Sequence, residues 1–420
     1  MIRLTSPSRF IRNIGWIGMT EMVSRASRLI TVIVLARFLS TGDYGLAAIA
    51  LTTNELVKVL TNTGIGQRII QSGDEQLGAV CNTAWKMNWV VCIGLFILQC
   101  AIAPIIGLVY DDMRLAWMVA AMAGVYLMMP LGLVQCFLVQ RESRMGVLAF
   151  VATAQMTIDN ILTAILAAGG LGAWAVVLPK LLVGPVWVVG MVRARKWRFD
   201  PAMGGADWRE ILSFGRSVLG VEVLKTLRLY ADRLIIGAVL GLDAVGLYFF
   251  AFSAGLGLSL SFVNAFGIAL FPHLCEIRDD VAELRRRWLN ALKLAAKVAV
   301  PVILAQAALS PFYVPLIYGQ RWAEAVPVLA LLCLSAIPRP FAEAAGQLLR
   351  AQGRPGLELG WSVGFTVLYL AAVTAALPWG IPGIAVAVCA VHWLVLPAMT
   401  LWVAIRILPP SLPLAQEAAE

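Results

Sequence analysis

The sequence predicts an all-α, polytopic membrane protein with twelve transmembrane helices arranged as two six-helix bundles. Three observations lead there. Apolar runs of roughly 20 residues recur along the chain, each long enough to cross about 30 Å of hydrocarbon as a helix. Charged residues are only 14% of the 420 and hydrophobic ones 60%, with mean hydropathy +0.83, whereas a soluble domain carries about 25% charge. Basic residues, finally, concentrate in every second connection.

The first span is expected near residues 10–38. Its basic start (Arg3, Arg9, Arg12) leads into an apolar run broken by Glu21, Arg25 and Arg28. A cleavable signal needs a cleaner core, so this reads as a retained helix. Further spans follow near 44–63, 80–107, 114–139, 146–168 and 171–192. The second set falls near 211–240, 244–270, 289–309, 323–348, 357–377 and 383–406, and all are joined by short connections rich in Gly, Pro, Asp and basic residues.

Alternate connections, beginning with the N-terminus, hold eighteen basic residues, including Arg141, Arg144, the run Arg193–Arg209 and Arg285–Arg287. The intervening ones offer only Arg37, Arg114 and Arg321. The positive-inside rule places the rich set, and with it both termini, in the cytoplasm. The net charge of +9 is then topology and no nucleic-acid footprint. The runs "RARKWR" and "LRRRW" read as anchors beside anionic headgroups of membrane lipids.

The longest polar connection divides the chain into an N-terminal bundle (1–192), a cytoplasmic linker (193–210) and a C-terminal bundle with a short tail (211–420). A shift of 201 residues lays Glu21 on Glu222, Leu39 on Leu240, Gly45 on Gly246 and Gly66 on Gly267. Duplicated halves are common in transporters. With six helices in each, both insert the same way up and would rock about an axis along the membrane normal.

Ionisable residues inside the spans carry the functional signal. Glu21, Arg25 and Arg28 fall within about 60° of one another on the first helix, and Glu222, Lys225, Arg228 and Asp232 within about 120° on the seventh. A charge facing lipid at mid-depth costs at least roughly 2.5–3.5 kcal/mol, so these faces should line the bundle interior or a wet cavity. Glu55, Lys58, Lys86, Asp159, Lys180, Arg339 and Glu343 add to the set. One reading is a set of stapling ion pairs, such as Glu21 with Arg25 and Asp232 with Arg228. The other is a cavity for an anion, since the clusters hold more basic than acidic groups. Arg25, Arg28, Lys225 and Arg228 suit a phosphate or pyrophosphate. Glu21, Glu222, Asp232 and Arg233 would form the charge network, with the carboxylates taking a coupling proton or sodium ion.

No catalytic constellation is present. A Walker A sequence is absent, and "GGLG" (Gly169–Gly172) reads as a turn. The seven cysteines are scattered without CxxC pairs, and His273 and His392 lie far apart, so no metal site or cofactor is expected. Trp197, Trp208, Trp288, Trp322 and Trp379 stand near span ends, where an interfacial belt is expected. Trp85, Trp89, Trp174 and Trp187 would serve packing or stack on sugar rings.

"DWREILSFGRSVLGVEVLKTLRLYADRLIIGAVLGLDAVGLYFFA" (Asp207–Ala251) resembles the start of the second half of bacterial polysaccharide flippases, the Wzx-type exporters of the multidrug/oligosaccharidyl-lipid/polysaccharide superfamily. "SRASRLITVIVLARFLSTGDYGLAAIA" (Ser24–Ala50) is similar to that family's opening helix and loop. "PFYVPLIYGQRWAEAVPVLALL" (Pro311–Leu332) and "LLRAQGRPGL" (Leu348–Leu357) resemble later connections. The resemblance implies a basic cavity between two bundles, lined by Arg25 and Arg28 of the first helix and Lys225, Arg228, Asp232 and Arg233 of the seventh. It implies as cargo an oligosaccharide on undecaprenyl diphosphate, moved from the inner to the outer leaflet of the bacterial inner membrane, with a polysaccharide polymerase and export machinery as partners. The two extra helices of lipid II flippases are absent. A cation-coupled multidrug exporter of the same superfamily is the alternative, expected to favour acidic cavity residues. A membrane glycan ligase or polymerase ranks below it, since such enzymes place working residues on a large periplasmic loop.

Overall fold

A computed structural model describes residues 27–61, 65–142, 144–275 and 280–408; Glu21 and Arg25 lie outside them. The described secondary structure is helical. Helix α1 occupies residues 27–38, and it is followed by α2 (Thr41–Lys58), α3 (Ile65–Gln71), α4 (Leu77–Val109), α5 (Met113–Met128), α6 (Pro130–Arg141), α7 (Met145–Ala168), α8 (Trp174–Leu182), α9 (Gly184–Ala194), α10 (Trp208–Leu240) and α11 (Leu242–Cys275). The chain ends with α12 (Val281–Tyr313), α13 (Val326–Ala336), α14 (Arg339–Ala351), α15 (Pro355–Ala376) and α16 (Gly380–Ile407).

Among the described residues, six stretches are long and apolar enough to cross a membrane: Leu77–Val109, Met145–Ala168, Trp174–Ala194, Val281–Tyr318, Gln320–Ala351 and Gly356–Ile407. The last holds both α15 and α16. The pair α5 and α6, bent by 54°, makes a seventh. Helices α2 and α10 fall where spans are expected, but they carry Glu55 and Lys58, and Glu222, Lys225, Arg228, Asp232 and Arg233. Helices α2 and α10, which bear the larger groups of candidate charges, therefore stand outside that set.

Packing divides the chain into two units, one ending at Gly246 and one beginning at Leu247. The first is inside-out relative to a soluble domain. Val90, Ile97, Leu108, Phe150 and Ile165 are exposed, while Asn54, Gln99 and Asp159 are buried. Lipid is the solvent this surface requires, and buried polar groups join the helices. Tyr126 Oη donates to Gln99 Oε1 at 3.0 Å, and Gln99 Nε2 donates to the Val119 carbonyl at 2.8 Å. The linker is pinned to the start of α4: Asn82 Nδ2 donates to the carbonyls of Asp200 (2.7 Å) and Gly204 (3.0 Å), and the Ala206 N–H donates to Thr83 Oγ1 (2.8 Å). At the opposite turn Asp112 caps α5. Hydrogen bonds from the Arg114 guanidinium hold its carboxyl below the usual carboxylate range.

The starts of α2 and α11 approach each other reciprocally. A Cβ on Gly45 would lie 2.0 Å from the Leu242 carbonyl oxygen, and one on Gly246 1.9 Å from that of Thr41. The 201-residue shift relates Gly45 to Gly246 and Thr41 to Leu242, so this contact has local twofold character. Ser40 caps α2 in a reciprocal box with Asp43, and Thr41 Oγ1 hydrogen-bonds the Asp243 carboxylate.

In the second unit Leu284, Trp288, Leu348, Leu349, Met399 and Val403 form a core over α12, α14 and α16. Two interfacial expectations are corrected here. Trp288 is buried and donates to the Ala344 carbonyl at 3.0 Å; Trp322 is buried and stacked on Phe250 at 4.0 Å. Each indole satisfies its apolar body inside the protein and has no need of the headgroup layer. Trp379 and Trp208 are exposed.

Because backbone carbonyls cannot retreat as a flexible side chain can, Gly45→Val or Gly246→Val should sharply lower the melting temperature of purified protein or prevent its folding. Gly94→Ala, where an added Cβ meets nothing within 4 Å, should leave it unchanged. Thermal unfolding in detergent, read by size-exclusion chromatography, measures both.

Candidate functional site

Among the described residues, the candidate charges of the first unit lie on α1, α2, α4 (Lys86), α7, α8 and α10, while Arg339 and Glu343 stand on α14 of the second. Helix α1 is fixed to α7 by Asn160 Nδ2 donating to Ser27 Oγ (2.9 Å) and Thr31 Oγ1 donating to the Asn160 carbonyl (3.0 Å). That bond set turns the Ser27–Thr31 face inward and leaves Arg28, one residue round the helix, exposed.

On α10 the charges change character along the helix. Glu222 and Lys225 form an ion pair at 3.5 Å with side chains 39% and 36% exposed, and Arg228 is half-buried. One turn later Asp232 and Arg233 are closed in, at 1% and 3% exposure. The Arg233 N–H donates to Asp232 Oδ1 at 2.8 Å, and its guanidinium lies 5.0 Å from the centroid of the Tyr230 ring, a cation–π distance. Helix α10 is closely packed beyond this point: a Cβ on Gly237 would sit 2.7 Å from the Tyr110 ring and 3.0 Å from Ile49, and Tyr110 Oη donates to the Leu234 carbonyl at 2.8 Å.

Two further lysines are held by carboxylates. Lys58 pairs with Glu55 at 3.1 Å, and Lys180 of α8 reaches across to Asp159 of α7. Asp159 Oδ1 remains buried without a hydrogen-bond partner. Lys58 and Lys180 both line a cavity of about 290 Å³ with Gln155 and Trp187. Sequence reasoning passed over Tyr110, Tyr230 and Gln155. An aromatic three residues before an arginine on an otherwise charged helix face was the available signal for Tyr230.

Residues 34–327 match the family model described as "Polysaccharide biosynthesis protein". The chain belongs to this family. It is similar to the lipopolysaccharide biosynthesis protein WzxC of Escherichia coli (strain K12), 23% identical over 363 residues, 85% of this chain and 73% of that protein. In fold it matches the lipid II flippase MurJ in an inward closed conformation, with TM-score 0.75, 11% identity and coverage of 93% and 87%. An inward-facing multidrug-resistance transporter of the MATE family and MOP superfamily matches at TM-score 0.72, 15% identity and coverage of 92% and 98%. The protein is a multi-pass membrane protein of polysaccharide biosynthesis with the fold of these transporters.

Removing one member of a buried ion pair leaves the other uncompensated. Asp159→Ala and Lys180→Ala should each destabilise the protein by on the order of 1–3 kcal/mol, discounted for the partial exposure of Lys180. The double variant should recover part of that loss in a double-mutant cycle by thermal unfolding.

Proposed function

We propose that this protein is a flippase, a transporter and not an enzyme. Its cargo is an oligosaccharide repeat unit on undecaprenyl diphosphate, carried from the cytoplasmic to the periplasmic leaflet of the bacterial inner membrane by alternating access. The product would feed exopolysaccharide, capsule or O-antigen synthesis. The observation that carries this reading is membership of a polysaccharide-biosynthesis family. The charges of the first unit agree with it: Glu55, Asp159 and Glu222 each already hold a lysine and offer little to a cationic drug, while the exposed Arg28 suits an anionic headgroup.

In this proposal Arg25, Arg28, Lys225 and Arg228 hold the diphosphate. Glu21, Glu222, Asp232 and Arg233 form the accompanying charge network, whose carboxylates take the coupling proton or sodium ion. Both termini lie in the cytoplasm, and the polymerase and export machinery receive the product. The multidrug-exporter reading draws on the likeness to the MATE fold, which is shared by transporters of unlike cargo.

Cells depleted of the protein should accumulate one glycan-lipid species on the cytoplasmic face of the inner membrane, measured by leaflet-selective labelling and mass spectrometry of the extracted lipids. Drug hypersensitivity without such a species would favour the multidrug exporter, and accumulation on the periplasmic face a ligase or polymerase. Lys225→Gln combined with Arg228→Gln should cut transport at least tenfold while the protein still inserts in the membrane. Full activity of that variant would remove α10 from cargo binding.

A further inference from the structure

The cavity in the first unit is created by two helix breaks at the same place. Helices α5 and α6 part at Met129–Pro130 with a 54° bend, and α8 and α9 part at Val183, just before Gly184–Pro185. A proline lacks the N–H that would continue the ladder and clashes with the carbonyl four residues back. The broken pairs then interlock. A Cβ on Gly132 would lie 2.8 Å from the Trp187 ring, and one on Gly184 2.5 Å from Met128 Sδ. Between them remains the space of about 290 Å³ bordered by Lys58, Gln155, Lys180 and Trp187. In membrane transporters, broken helices of this kind line the place where cargo sits.

The charge in this cavity decides what it suits. Lys58 and Lys180 contribute two ammonium groups, and Glu55 and Asp159, their partners, contribute two carboxylates. The sum is zero, so neither an anion nor a cation gains a net charge partner. What the walls do supply is both kinds of hydrogen-bonding group: ammonium and amide donors, the Gln155 amide oxygen as acceptor, and behind them Asp159 Oδ1, buried and without a partner. Gln155 stands one turn before Asp159 on α7. The indole of Trp187 adds a flat apolar surface, pinned against Gly132. A hydroxyl both donates and accepts, and a pyranose ring presents a C–H face beside its hydroxyls. The volume lies at the lower end of small-ligand sites, about 300 Å³ and upward, which fits one ring and not a chain of them.

We propose that this cavity is a subsite for a single uncharged sugar ring, stacked on Trp187 and hydrogen-bonded by Gln155 and by the ammonium groups of Lys58 and Lys180, each neutralised by its own carboxylate. This assignment rests on the flippase reading, and gives the diphosphate and a sugar of one cargo separate places in the first unit.

The test uses full-length protein in nanodiscs and four probes: undecaprenyl diphosphate, and the same carrier bearing one glucosyl, one galactosyl or one glucuronosyl residue. Affinities are measured by native mass spectrometry. The wild-type protein is expected to bind a neutral glycosyl form about tenfold more tightly than the bare carrier, as one or two net hydrogen bonds allow, with no further gain for the glucuronosyl form. Trp187→Leu and Gln155→Ala should each erase most of that preference while keeping affinity for the bare carrier, which also reports that the variant is folded; Trp187→Tyr should retain it. A preference that survives both variants, or equal binding of bare and glycosylated carriers, overturns the subsite alone. Much tighter binding of the glucuronosyl form overturns its neutrality. Failure of the wild-type protein to bind any of the four would bring down the flippase reading together with the subsite.

Discussion

An ionised group inside hydrocarbon has to be compensated within a few ångströms, and in the first unit that requirement organises the interior. Where a charge and its counter-charge can share a helix, they do: Glu55 with Lys58 and Glu222 with Lys225 are both three residues apart. Such pairs compensate each other without fixing how helices meet. Where the partner stands on another helix, the pair becomes a constraint on packing. Lys180 and Asp159 tie α8 to α7.

Compensation also divides α10 into two regions with different capacities. Asp232 and Arg233 are closed in, the Asp232 carboxylate accepting from the Arg233 N–H and the Arg233 guanidinium lying against the Tyr230 ring, so an incoming headgroup would have to break protein contacts to reach them. Lys225 and Arg228 are one to two turns earlier and partly open. A ligand can add itself to the half-exposed Glu222–Lys225 pair at lower cost, because both side chains are partly open and their separation of 3.5 Å is loose. The same helix thus holds a fixed end that sets geometry and an adjustable end that can respond to cargo.

Much of this architecture is legible in the sequence, for physical reasons. Apolar runs had to match the hydrocarbon thickness, so the expected span near 80–107 coincides with Leu77–Val109 and that near 146–168 with Met145–Ala168. Helix breaks are harder to read. Pro104, Pro301 and Pro397 lie inside continuous helices, whereas Pro130 and Pro185 stand at interruptions. The difference comes from neighbours: Gly132 and Gly184 admit Trp187 and Met128, so the bent α5–α6 pair packs against the interrupted α8–α9 span. The sequence suggests Glu21 with Arg25 and Asp232 with Arg228 as pairs. Glu55 with Lys58 and Glu222 with Lys225 are missed, though their three-residue spacing lies open to a helical reading; at 21 residues only the fold brings Lys180 to Asp159. The buried Trp288 and Trp322 show the same limit, since a tryptophan near a span end is equally at home in a headgroup layer or a core.

The fold alone does not choose a cargo, because a lipid II flippase and a multidrug transporter match it about equally well. The choice lies in how the interior charges are already spent. A carboxylate that could bind a cationic drug is of no use while a lysine holds it, and three interior carboxylates are in that position. Releasing one would leave its ammonium uncompensated. The exposed guanidinium of Arg28 on α1 suits a diphosphate, which brings its own counter-charge. A sugar needs no counter-charge and can use an ion pair intact, its hydroxyls bonding to ammonium and carboxylate together. An interior built from compensated pairs and a few accessible arginines is therefore matched to a ligand with one strongly anionic part and one neutral polar part.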